Sequence, residues 1–90
     1  MFTVHVLYSH TFRKIYIGYT SNLIERFKSH NELGHKGWTI KFRPWIILYS
    51  EEFETKALAI KREKELKSAN SRKWIWSLIK EKIEVGIISA

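Results

Sequence analysis

A glutamate stands where an apolar side chain is expected. On helical offsets through "ETKALAIKREKELKSA", Glu63 shares a face with Ala59, Ile60 and Leu66, whereas Glu65 falls beside Lys61, Arg62 and Ser68 on the solvent side. A carboxylate along an apolar stripe needs a partner, because burying an unpaired charge costs several kcal/mol or shifts its pKa. A metal, another cation or a basic side chain would serve, and Lys67 at i+4 is the plainest choice. A second pair, Arg26 and His30, is also spaced i,i+4, beside a stripe of Leu23 and Phe27. Such residues commonly pack and cap, yet a guanidinium matches phosphate oxygens and an imidazole carries protons near neutral pH. His5 and Tyr16 project from predicted strands and meet if the hairpin register allows. One acid, one Arg and hydroxyl or imidazole bases suit phosphodiester hydrolysis better than other chemistries. The four histidines are too scattered for zinc, the glycines too few for a phosphate loop, and no Gly-x-Ser-x-Gly elbow occurs.

Those residues must be positioned by a small fold. The 90 residues carry a net charge of +7, 44% hydrophobic side chains and no cysteine. One compact core is the limit at this size. The charge favours a polyanion, and nucleic acid is the obvious one. Without cysteine there is no disulfide framework or thiolate metal site. No signal-peptide core or bilayer-length apolar run is present, so a cytoplasmic address is expected.

"FTVHVLYS" alternates as a strand, "HTFR" turns the chain, and residues 14–19 return as its antiparallel partner. Gly18 interrupts that second strand beside Tyr16 and Tyr19, which suggests that something approaches the backbone there. "SNLIERFKSHNEL" reads as one helix capped by Ser21 or Asn22, with Glu25 completing a capping box. The segment "GHKGWTIKFRPW" is basic and aromatic. "WIILYSEEF" follows Pro44, and its continuous apolar run predicts a central strand buried on both faces. A helix over 54–69 and a last helix capped by Ser71 complete the order β-β-α-β-α-α. The fold class is therefore α/β (α+β), a three-stranded, mainly antiparallel sheet flanked by helices. Residues 1–83 form the expected single domain and 84–90 an apolar tail, for which folding back, pairing and fraying all stay open.

This ordered set resembles the GIY-YIG nuclease superfamily, specifically its small single-domain bacterial members, from about residue 2 to residue 80. "YIG" is intact at Tyr16–Gly18, "TVH" at 3–5 takes the place of the family's "GIY", "NLIERFKSHN" supplies the Arg and His, and Glu63 matches the metal-binding acid. The resemblance implies DNA cleavage with one mostly water-coordinated Mg²⁺ or Mn²⁺ on Glu63, Arg26 stabilising phosphoryl charge and His30 assisting. Gly18 would let substrate backbone approach. Thr3 and His5 depart from the family's Gly and Tyr. His5 is expected to replace that Tyr as base, since an imidazole outperforms an ordinary phenol, pKa about 10, near neutral pH. The family's late Asn has no counterpart here, and Asn70 comes early for it. Arg13, Lys14, Lys36, Lys41 and Arg43 are expected to hold nucleic acid. Recognition should follow DNA shape, or a protein partner should supply the target, with the chain a monomer or weak homodimer. The competing reading is a catalytically degenerate nucleic-acid-binding module, with Trp38 and Trp76 stacking bases.

Overall fold

The computed structural model describes residues 1–33 and 38–88. β1 (Phe2–Ser9) runs up the middle of a three-stranded antiparallel sheet, with β2 (Lys14–Thr20) on one side and β3 (Ile46–Phe53) on the other. Alternation sends Val4, Val6 and Tyr8 to one face and His5, Leu7 and Ser9 to the opposite one, and all six are buried. Arg13, with φ of 55°, closes the four-residue turn between β1 and β2. The register then places Leu7 opposite Tyr16 and His5 opposite Gly18.

The central strand is thus β1, not the apolar segment after Pro44. β3 is an edge strand, with Ile46 and Ile47 each 41% exposed. A bulge explains the misleading pattern. Val6 faces Tyr49 while Leu7 faces Ile47, so Leu48 is an extra residue that points into the core. Two alternations out of phase read as one continuous run. In β1, His5 and Ser9 disguise a strand that is covered on both faces.

The first face carries the main core. Val4, Val6, Tyr8, Ile15, Ile17 and Leu48 pack with Ala59 and Leu66 of α2 (Lys56–Leu66) and with Ile75 and Ile79 of α3 (Ala69–Glu84). Thr55 caps α2 by accepting from the Leu58 amide. The two helices turn sharply into each other because Ser68, not Ser71, caps α3. Its hydroxyl accepts from the amide of Ser71, which is already inside the helix. Arg62 ties α2 back to β3 through Glu51 at 2.6 Å.

At its far end α3 stops on Gly86 at φ 80°. The amides of Gly86 and Ile87 donate to the carbonyls of Ile83 and Lys82, which is the Schellman pattern. This turn carries Ile88 into the core at 5% exposure, so the apolar tail folds back as far as residue 88. Burying an isoleucine stabilises by about 2 kcal/mol, comparable to the entropy of fixing one or two residues. The two amide bonds tip that balance toward order.

The opposite face is covered by α1 (Leu23–Lys28) and the chain leading into β3. The single helix predicted over 21–33 changes pitch. After Lys28 it widens into a π-type turn over Ser29–Leu33, and a 3-10 turn follows over Trp38–Phe42. The cause is tertiary. Asn31 accepts from the Trp45 amide at 2.6 Å and donates to its carbonyl at 2.9 Å, imitating a strand partner. Among the described residues no helix is long and apolar enough to cross a membrane.

The cap assignment is directly measurable. Ser68→Ala should lower unfolding stability by about 1 kcal/mol in urea denaturation, while Ser71→Ala should change it by only a few tenths. Equal losses would put the helix start back at Ser71.

Candidate active site

β2 is the other edge strand, and several of the predicted residues gather along it. α2 packs against one face of this edge and α1 leaves from its end. Thr20 Oγ1 accepts from the Asn22 amide at 3.1 Å, and the Asn22 side chain then caps α1 at the Glu25 amide. Glu25 answers by accepting from the Asn22 side-chain amide at 3.3 Å, rather than from the backbone as in the usual capping box. Strand therefore passes into helix within two residues, and Arg26 stands one turn above the strand end.

A cleft of about 390 Å³ results, lined by Tyr16, Gly18, Arg26, Glu63 and Lys67 with the neighbouring β2 residues. Four of the sequence candidates, drawn from β2, α1 and α2, meet here. Glu63 is bound to Lys67, the i+4 partner that helical spacing allowed. Its side chain retains 17% exposure and that of Lys67 49%.

His5 and His30 do not line the cleft. They lie behind Tyr16, at 1% and 6% exposure. The His5 and Tyr16 rings stack with centroids 6.0 Å apart, and His30 lies 4.7 Å from Tyr16 and 6.3 Å from His5. His30 Nδ1 pairs with the Thr39 hydroxyl at 2.9 Å, while His30 Nε2 and both His5 nitrogens are buried without a hydrogen-bond partner among the described residues. Desolvation lowers the pKa of His5 to about 4, with the proximity of His30 and Arg26 adding to it. His30 is lowered by the same burial and by Arg26 and Arg43. Both rings are neutral at physiological pH. The expectation that His5 acts directly as base meets a physical obstacle, since the ring is shut away and holds a proton weakly.

Gly18 lines the cleft and also has a close neighbour inside the fold. The strand does not end there but continues to Thr20, and the space above the glycine is filled by His5. A Cβ at position 18 would come within 3.1 Å of His5 Cε1 and 3.2 Å of Tyr16 Cε1.

The expected nucleic-acid contacts divide. Arg13, Lys14 and Lys41 are exposed around the hairpin tip, where Lys14 lies over the Phe42 ring at 5.5 Å. Arg43 is half-buried, and its guanidinium donates to the carbonyls of His30 and Ser29, closing the C-terminal turn below α1. Lys36 lies outside the described residues. Asn70 faces a separate hollow with Tyr49 and Arg62 on the far side of α2. Asn31 and Thr39 were missed by sequence reasoning. Asn31 lies in a polar stretch and Thr39 in a basic, aromatic one, and their partners lie 14 and 9 residues away.

A divalent cation can be tested against this donor set. Among the described residues no three His, Asp or Glu side chains converge as a metal cage. Glu63 is the single carboxylate among the described residues that line this open, polar cleft. That suits Mg²⁺, which keeps most of its water and takes one or two carboxylates plus substrate phosphate.

Comparison with known proteins identifies a family for the chain. The model of the GIY-YIG catalytic domain matches residues 1–75. A UPF0213 protein of Staphylococcus aureus is 37% identical over 68 residues, covering 76% of this chain and 82% of the relative. A UPF0213 protein of Staphylococcus haemolyticus is 37% identical over 54 residues, 60% of this chain and 66% of its own length. No solved structure matches at a significant level.

The buried imidazoles predict a pH dependence. Their folded pKa values lie below the unfolded value, so their contribution to stability is complete above pH 6.5 and declines as pH falls toward 4. For His5 the loss approaches about 3 kcal/mol once both states are protonated. His5→Phe keeps a ring over Gly18 and should flatten much of this slope in denaturant titrations at neutral and acid pH. Gly18→Ala should destabilise by about 1–3 kcal/mol at any pH through overpacking. A wild-type slope unchanged by His5→Phe would mean that the imidazole is solvated.

Proposed function

This chain belongs to the GIY-YIG catalytic domain family, and from its cleft we propose that it is a divalent-metal-dependent endonuclease that hydrolyses DNA phosphodiesters. Membership supports a nuclease-type function. The observation that carries the finer reading is the meeting of Tyr16, Arg26 and Glu63 on one cleft at a strand edge. Glu63 would hold the cation, which when bound polarises the phosphate and stabilises the leaving oxygen.

The chain's own residues do the rest. Arg26, exposed at the rim, offers a planar fork to the non-bridging oxygens. Lys67 neutralises Glu63 until a cation replaces it, and its half-exposed ammonium is then available to a phosphate. Among the described residues, Tyr16 is the hydroxyl-bearing ring common to the cleft and the buried histidine pair. We assign it the contact with the attacking water. His5 and His30 become positioning residues that fix the Tyr16 ring from behind. His5 therefore replaces the missing motif tyrosine as a packing partner for Tyr16. Keeping both imidazoles neutral leaves Arg26 and Lys67 as the positive groups nearest the scissile phosphate.

The charged groups that the cleft offers to DNA, Arg26 and Lys67, suit phosphates rather than base edges, which supports recognition of DNA shape over a long base sequence. The test uses supercoiled, branched and flap DNA with Mg²⁺ or Mn²⁺. Glu63→Ala and Tyr16→Phe should each reduce cleavage about a hundredfold or more, while His5→Phe should cost less than Tyr16→Phe. EDTA should abolish cleavage. Equal nicking by wild type and Glu63→Ala overturns the enzyme. DNA binding in EDTA with no cleavage under either metal would instead identify a catalytically degenerate module.

A further inference from the structure

Two more hollows continue the cleft along the protein. The first, about 280 Å³, shares Tyr16, Ile17 and Lys67 with it and adds Arg72. The second, about 580 Å³, shares Arg72 and extends along α3 past Lys73, Trp76 and Lys80. Positions 72, 73, 76 and 80 fall on one helical face by the 3.6-residue repeat. Their side chains are exposed, and none of the three cations is in an ion pair among the described residues. No acidic residue lines either added hollow. The result is a continuous basic track that begins at Glu63 and Arg26 and ends at Lys80.

Trp76 gives the track a second property. Its ring is held edge-to-face against the buried Tyr8 ring, centroids 5.9 Å apart, yet 36% of the residue is exposed. Tyr8 thus anchors an indole beside three cations. A duplex would use the cations and leave the indole idle, since paired bases are already stacked. An unpaired strand would use both, with phosphates on Arg72, Lys73 and Lys80 and a base on Trp76.

We propose that the α3 track holds a single-stranded DNA segment leaving the cleavage site, so that the substrate class is duplex DNA joined to an unpaired strand. This rests on the nuclease reading for its direction, but its binding surface is separate from Glu63. None of the loop residues expected from sequence to hold nucleic acid contributes to it.

The experiment measures binding in EDTA, by fluorescence anisotropy, to a labelled duplex with a single-stranded tail and to the same duplex with blunt ends. Wild type should prefer the tailed duplex about tenfold, and Trp76→Ala should remove that preference. Lys73→Glu with Lys80→Glu, both exposed and remote from the core, should weaken binding to the tailed duplex and lower the salt slope by about two. The double variant should unfold as wild type does, which covers the case of a Trp76→Ala protein that does not fold. Equal affinity of wild type and the double variant overturns the track, as does equal binding of tailed and blunt DNA by wild type. If the track variants lose binding while Glu63→Ala cleaves like wild type, the track stands and the nuclease reading falls. If Glu63→Ala is inactive and the track variants bind and cleave normally, only the track falls.

Discussion

The pairing of His5 with Gly18 is the constraint on which the site depends. A full imidazole lies over a residue with no side chain, within 3.1–3.3 Å of where a Cβ would stand. Sliding the hairpin by one residue would put Tyr19 or Ile17 opposite the ring and reverse the faces of β2. With the observed register, Tyr16 lies diagonally across from His5 and is supported from below by a buried aromatic surface. The same register leaves β2 on the outside of the sheet, where α1 and α2 each reach its edge. A carboxylate and a guanidinium from distant segments then share one opening.

The clamp around Trp45 serves that arrangement. Trp45 is 1% exposed, donates its indole N–H to the Thr39 carbonyl at 2.8 Å, and is gripped at both backbone groups by Asn31. Arg43 closes on the Ser29 and His30 carbonyls nearby. These bonds hold the wide turn after α1 and press His30 against Tyr16. They also help bury the two histidines, and that desolvation, reinforced by Arg26 at both rings and by Arg43 at His30, keeps both neutral. Packing and electrostatics support each other here, because a protonated ring in that position would repel Arg26.

Glu63 illustrates how a structural pairing leaves a carboxylate open to a further role. Its bond to Lys67 satisfies a half-buried carboxylate in a +7 protein. Because the ammonium is the more exposed partner and sits where α2 ends, the pair is reversible at low cost. A resident cation competitor of this kind keeps the cleft polar without committing the carboxylate.

Much was legible from sequence because it is local. Periodicity placed Glu63 beside Ala59 and Leu66, and the Asn22–Glu25 spacing marked the start of α1, since helix geometry and capping depend on residues three or four apart. The ordered residues 16, 18, 26, 30 and 63 pointed to a family and a chemistry before any fold was known. Tertiary structure decided what depends on distant partners. It made β1 rather than β3 the central strand, through a bulge that alternation cannot reveal. It widened the turn at Ser29 because Asn31 prefers Trp45, 14 residues on, to its own helix. It moved His5 from the cleft to the layer behind it, because the face a strand residue occupies follows from sequence, while the depth of cover over that face depends on which other segments arrive there.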